Sequence, residues 1–175
     1  MSIKNRGTLI KCLLTWLLGI VSCVSFAQGD PTDSLPQDPG SLSVYNVQNM
    51  AFGAFSHGAS GGSVIISTAG MRSVTGSITA LNAGITYFQA IFDIEAPQGA
   101  IISILNGPNA TLTGSNGGSL TLQLGGSSPG SPFVNSVASP ARTSVSIGGT
   151  LIIGTTAANP PGTYSGTFYI TFNQE

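Results

Sequence analysis

Residues 162–173 read GTYSGTFYITFN. From Tyr164 onward, Gly166, Phe168, Ile170 and Phe172 fall on one side of an extended chain, and Thr163, Ser165, Thr167, Tyr169 and Thr171 fall on the other. This two-residue period predicts a strand over 163–173 with one face in a core and one row of hydroxyls outside it. The stretch YFQAIFDIEA (87–96) repeats the pattern, with Phe88, Ala90, Phe92, Ile94 and Ala96 on one face and Tyr87, Gln89, Asp93 and Glu95 on the other. Ile91 alone departs from the polar side.

Working outward, the same texture fills most of the chain: short β-branched and aromatic runs punctuated by Gly, Asn and Pro. It predicts strands at 42–49, 51–56, 62–68, 73–81, 87–96, 100–106, 109–114, 118–124, 142–153 and 163–173, with a break at Gly148-Gly149. Turn chemistry marks Gly117-Gly118, Gly125-Gly126 and NPPG (159–162), and GGSSPGSP (125–132) reads as a longer exposed loop. No window carries an apolar stripe at helical spacing outside the first residues. The expected fold is all-β, an antiparallel immunoglobulin-like or pilin-like β-sandwich with Greek-key-like connections, preceded by a cleaved signal helix. It lacks the Cys pair and core Trp of antibody-type domains, because Cys12, Cys23 and Trp16 all lie near the beginning.

That beginning has its own grammar. Lys4, Arg6 and Lys11 precede the apolar run LLTWLLGIVSCVSF (13–26), and Ser25 and Ala27 put small residues where a signal peptidase cuts, between Ala27 and Gln28. Two alternatives stand beside cleavage. A retained anchor needs about 18 apolar residues, more than this run supplies. Acylation of Cys23 is the other, since IVSC loosely resembles a bacterial lipobox. The expected organisation is a signal peptide at 1–27, a flexible linker at 28–40 and a sandwich domain at 41–175. The linker QGDPTDSLPQDPG has three Pro, three Asp and one large apolar residue, too little to order itself.

Cleavage after Ala27 leaves 148 of the 175 residues, enough for one core. No thiol remains, so stability rests on packing and hydrogen bonds. Two cations, Arg72 and Arg142, face six acids, for a formal charge of −4. A chain without clustered Lys and Arg is not built for nucleic acid. Its surface consists mainly of hydroxyls, amides and backbone, which suits a protein that lies against neighbours or polymer.

Little catalytic chemistry is visible. His57, the single histidine, sits in FSHGASGG (55–62) without a nucleophile signature, and the GASGG text lacks a strand–elbow–helix context. It reads as a loop histidine. Asp93 and Glu95 share a strand face but lack the dense oxygen set of a calcium loop or the cleft of a glycosidase. Arg72 and Arg142 are each expected to pair with an acid across the sheet, and Arg72 also to pin a hairpin. Of the tyrosines, Tyr164 falls on the core side with its hydroxyl bonded to a loop, whereas outward Tyr87 and Tyr169 are the candidate contacts for a glycan ring. Ser34, in DSL (33–35), is a candidate O-glycosylation acceptor. The reading assigns no catalytic residue, no cofactor and no metal.

The blocks VQNMAFGAF (47–55), SGGSVIISTAGMRSVTGSITAL (60–81), YFQAIFDIEAP (87–97), GGTLIIG (148–154) and PPGTYSGTFYITFN (160–173) together resemble the secreted bacterial domain-of-unknown-function family numbered 4402, across roughly 42–173. The resemblance implies an exported all-β domain of a Gram-negative envelope, without an assigned activity. The closing block is similar as well to the last strand of spore-coat-protein-U and fimbrial subunit domains, in which a neighbour's N-terminal arm adds a strand to an open edge. Residues 28–40 lack the alternating apolar side chains of such an arm, so strand 42–49 is the segment left for exchange. The expected function is a non-enzymatic exported protein: a structural, fimbria-like or adhesive subunit whose partners are like subunits or envelope polymer. The alternative is a monomeric extracellular module that binds a glycan or other ligand. No small-molecule substrate and no transmembrane anchor in the mature form are expected.

Overall fold

The computed structural model describes residues 40–175. The predicted signal helix, the cleavage point at Ala27 and Gln28, Cys23 and Ser34 lie outside the described residues. Thirteen strands follow one another: β1 (Ser43–Gln48), β2 (Ala51–Phe52), β3 (Phe55–Ile66), β4 (Arg72–Ala80), β5 (Tyr87–Phe88), β6 (Ala90–Glu95), β7 (Ile101–Asn106), β8 (Ala110–Gly114), β9 (Ser119–Ser128), β10 (Phe133–Val134), β11 (Thr143–Ile153), β12 (Tyr164–Ser165) and β13 (Ile170–Gln174). Every ladder between them is antiparallel. The all-β antiparallel fold is the one the alternating runs predict.

The large sheet runs β1-β6-β11-β9-β8-β12 and forks at β11, which also carries β3 and then β4. One half of β11, Thr143–Ile147, pairs with β6, and the other half, Gly149–Ile153, pairs with β3. β9 lies along the opposite edge of both halves. The fork lets the sheet splay, and the glycine pair sits at the fork because the space is taken: a Cβ on Gly148 would lie 2.7 Å from the Ile66 carbonyl oxygen. A second sheet, β10-β7-β13, packs its inward residues against β6 and β11.

Two buried clusters result. Val64, Ile66, Ile78, Leu120, Leu122, Leu151 and Ile153 fill one, and Ala90, Ile94, Ala96, Ile102, Val145 and Ile147 fill the other. Met50, Leu124 and Phe168 pack against both and join them. Two buried asparagines seal the connections. Asn135 donates to the carbonyls of Ala96 (2.7 Å), Val137 (2.9 Å) and Pro97 (3.1 Å) and accepts from the Thr143 hydroxyl (2.7 Å). Asn159 accepts from the Gly154 amide and donates to the Ser119 carbonyl, both at 2.6 Å. Buried amides satisfied on both ends fix a loop with a geometry no apolar side chain specifies.

Five boundaries differ from the sequence reading, each for a backbone reason. The strands expected at 51–56 and 62–68 are instead short β2 and one long β3, because the glycine-rich stretch 58–62 is absorbed as a bulge: His57 pairs with Ile78 and Gly62 with Gly76, so four residues oppose one. The loop expected at 125–132 is strand as far as Ser128, since Ser127 and Ser128 pair with Ile147 and Ser146. Gly125-Gly126 there forms a bulge against β11 and is not a turn. The break expected at Gly148-Gly149 does not occur; β11 stays continuous through it. Residues 87–96 split at Gln89 into β5 and β6, which belong to different sheets. Finally, 163–173 is two strands: β12 extends the large sheet from β8, and β13 joins β7 in the small one. Residues 166–169 carry the chain across, and Gly166 permits it, since a Cβ there would collide with the Thr111 carbonyl oxygen.

Candidate functional site

The crossing at 166–169 borders a concavity. A cleft of about 790 Å³ runs beside residues 164–172. Phe52, Phe92, Leu112, Leu122, Phe168 and Phe172 supply apolar walls, and Val44 and Asn46 of β1 line it as well. Phe168, Ile170 and Phe172 point to the core side, as their spacing predicts, yet each is only half-buried. Phe92 and Phe172 meet with ring centroids 5.6 Å apart and planes tilted by 58°, the tilted geometry aromatic pairs favour. β13 pairs only with β7 among the described strands, so its other edge borders this cleft. The lining includes no charged side chain. Chemically the cleft offers apolar pockets at alternate positions next to a row of backbone donors and acceptors.

A smaller cavity of about 300 Å³ lies beneath the 154–163 loop. Phe55, Ile153, Pro160, Pro161 and Tyr164 surround it, with His57 in its wall. His57 belongs to β3 and not to a loop, correcting the sequence reading. Its Nε2 lies 2.9 Å from the Asn159 carbonyl oxygen, an acceptor, so Nε2 carries the proton. Nδ1 is buried without a hydrogen-bond partner. Among the described residues no nucleophile or carboxylate is bonded to the ring; the imidazole ties β3 to the loop. Tyr164 closes the same loop, its hydroxyl donating to the Pro160 carbonyl at 2.7 Å.

The two arginines occupy separate sites. Arg72 donates from Nη1 to the carbonyls of Phe52 (3.2 Å) and Ala54 (3.1 Å) and from Nη2 to that of Leu81 (3.3 Å). Its guanidinium also lies 4.4 Å from the Tyr87 ring centroid. It therefore ties the start of β4 to the chain around Gly53 and to Leu81; among the described residues it meets carbonyls and no acid, which corrects the cross-sheet pairing expected from the sequence. Arg142 stacks on Tyr45 at 3.7 Å and pairs through Nε with Glu95 at 3.3 Å. Glu95 further accepts from the Ser139 hydroxyl at 2.7 Å. That hydroxyl first, and the Arg142 hydrogen bond next, hold the Glu95 carboxyl below the usual carboxylate range. Asp93 sits in register with Tyr45 and Ser144. Among the described residues no three His, Cys, Asp or Glu side chains come together as a metal site would require.

The candidate glycan contacts separate by environment. Tyr87 has one face occupied by Arg72, while Tyr169, 70% exposed, stands at the rim of the large cleft. The cleft itself was not readable from the sequence. Its signal is present, in the glycine at 166 that interrupts an otherwise uniform strand, but period-two spacing alone gives no information about what covers a face.

The chain matches a family model described as a domain of unknown function (DUF4402) over residues 42–173. No curated protein and no solved structure matches it.

Proposed function

The chain belongs to the DUF4402 family, whose description assigns no activity, and from its surfaces we propose that it is a non-enzymatic, exported structural subunit. It is fimbria-like or adhesive, works at a Gram-negative cell surface, and associates through strand edges with like subunits or envelope polymer. The observation that carries this reading is the uncharged apolar cleft beside the open edge of β13. An edge of this kind is a template for main-chain pairing, and the adjoining pockets supply side-chain selectivity. The basic, apolar, small-residue sequence of 1–27 supports export, with cleavage after Ala27.

The test is light scattering of the purified protein across a concentration series, beside Thr171→Lys. Thr171 is exposed on β13 and lines the cleft, so a lysine there blunts the edge without touching either core. Concentration-dependent assembly in the wild type that the variant loses, at unchanged circular dichroism, supports the reading. A wild type that stays monomeric, in cells whose fibres and attachment survive deletion of the gene, sinks it.

A second reading, a monomeric glycan- or ligand-binding module, is favoured by exposed Tyr169 and the cavity under the 154–163 loop. Binding on a glycan array that disappears in Tyr169→Ala but persists in Tyr87→Ala would select it.

A further inference from the structure

β4 reads RSVTGSITA over residues 72–80, and about Gly76 it is close to a palindrome. Thr75 mirrors Ser77, Val74 mirrors Ile78, and Ser73 mirrors Thr79. The sides agree with the spacing. Val74 is half-buried and Ile78 is buried at 7% exposure, whereas Ser73, Thr75, Ser77 and Thr79 are exposed. β4 pairs with β3 alone among the described strands, which leaves a nine-residue edge.

Sheet edges of this length are normally blunted by a lysine, a proline or an inward-pointing charge. β4 has none of these from Ser73 to Ala80. Arg72, the one cation, is turned onto the carbonyls of Phe52, Ala54 and Leu81 and away from the edge. Gly76, at φ +67°, bends the strand, a device that deters pairing with a straight partner. A second β4 related by a two-fold axis through Gly76 carries the identical bend at the identical place.

We infer that the β4 edge is a self-recognition surface, and that its occupant is β4 of a second copy, running antiparallel about a two-fold axis at Gly76. In that register Ser73 meets Thr79, Val74 meets Ile78 and Thr75 meets Ser77 of the partner. Every exposed hydroxyl thus faces a hydroxyl, every inward apolar side chain an apolar one, and no charge faces a charge. Such complementarity to its own copy is what an isologous contact demands, and cross-strand pairs of these kinds are favourable. A partner of unrelated sequence has no reason to reproduce the mirrored order. The inference rests on the structural-subunit reading and specifies one of its contacts, a symmetric one distinct from the cleft beside β13.

The test charges the edge at Ser73 and Thr79, which have exposed side chains on the face away from the core. Ser73→Lys/Thr79→Lys and Ser73→Glu/Thr79→Glu are each measured alone and then mixed, by sedimentation over a concentration series. The expected result is a wild-type dimer, at least about a tenfold rise in dissociation constant for either charged variant alone, and recovery of the dimer on mixing, because lysine then faces glutamate. Recovery shows that both variants are folded. Dimerisation that is indifferent to these charges overturns the inference and leaves the cleft-based reading standing, as does a mixture that fails to recover. Thr171→Lys separates the two in the other direction: a dimer that resists it, stops at two copies and accompanies no fibres keeps the β4 contact and removes the subunit reading. A protein monomeric at every concentration removes the β4 contact.

Discussion

Residues 143–153 and 164–174 look alike in sequence, each alternating apolar with small or hydroxyl side chains, and the fold treats them in opposite ways. β11 is paired along both edges, and Val145, Ile147, Leu151 and Ile153 are all buried. The closing segment divides between two sheets, has one edge paired at each, and leaves Phe168, Ile170 and Phe172 half-covered. The spacing of side chains along a strand decides which way they point. How completely they are covered depends on the strands laid beside and across them, which the segment itself does not encode.

The widest separation between the two segments is expected from one chemical change made in each. Ile147→Ala should cost about 2–5 kcal/mol, the range for deleting a buried isoleucine side chain beyond its Cβ. Ile170→Ala, from a residue that already touches the open cleft, should cost less than half of that. Denaturant titration of both variants checks the difference through the shift in midpoint at constant slope. Equal losses would break the comparison, because they would mean that the cleft is closed in solution and that 164–174 is covered as well as β11 is.

Arg72 sharpens it next. This residue binds three carbonyls, two beside Gly53 and one just after β4, so Arg72→Ala strands Phe52, Ala54 and Leu81 oxygens and is expected to cost about 1.5–3 kcal/mol. Arg72→Lys should recover only part of the loss, since an ammonium does not reproduce the planar fork. Thermal unfolding of the pair reads the order directly. A fully stable Arg72→Ala would show that those carbonyls are served by water and that the clamp is decorative.

Glycines give a finer comparison, within one ladder. Gly148 of β11 lies against the backbone of Ile66, and Gly148→Ala should cost about 1–3 kcal/mol through a contact that only backbone movement relieves. Gly126, across the same ladder in the β9 bulge, faces open space, where an added Cβ would meet no atom within 4 Å. Gly126→Ala should be neutral or stabilise by up to about 1 kcal/mol by restricting the unfolded chain. A reversed order would place the fork in the sheet elsewhere than at Gly148.

These contrasts mark where the sequence was legible. Strand identity was readable nearly everywhere, because alternation and turn residues are local. The inward set Ala90, Ile94 and Ala96 follows from it. Bulges were not readable: the glycine-rich stretches 58–62 and 125–126 carry the same composition in a bulge as in a loop, and only the opposing strand distinguishes them. Nor were the sealing asparagines, since Asn135 and Asn159 stand in stretches that read as loops and are identified only by the carbonyls they reach. The cleft depends on where two sheets part, which is a property of the whole chain.

The smallest expected effect concerns the charge cluster at β1 and β6. Glu95 is held ionised by the Ser139 hydroxyl and by Arg142, so its carboxyl titrates below the usual range in the folded protein. A depressed folded value means that the contribution to stability is fully present above the ordinary carboxylate range and fades as pH falls through the folded value. Glu95→Gln should therefore lower stability slightly at neutral pH, with the deficit shrinking in acid until wild type and variant coincide. Because Arg142 is exposed, added salt should shrink the deficit too. Paired denaturation curves at neutral and acid pH, each with and without salt, check both signs. A deficit that persisted unchanged into acid would assign the role of Glu95 to packing against Tyr45 and Arg142 and not to its charge, and would extend the tightly covered region to the outer face of β1.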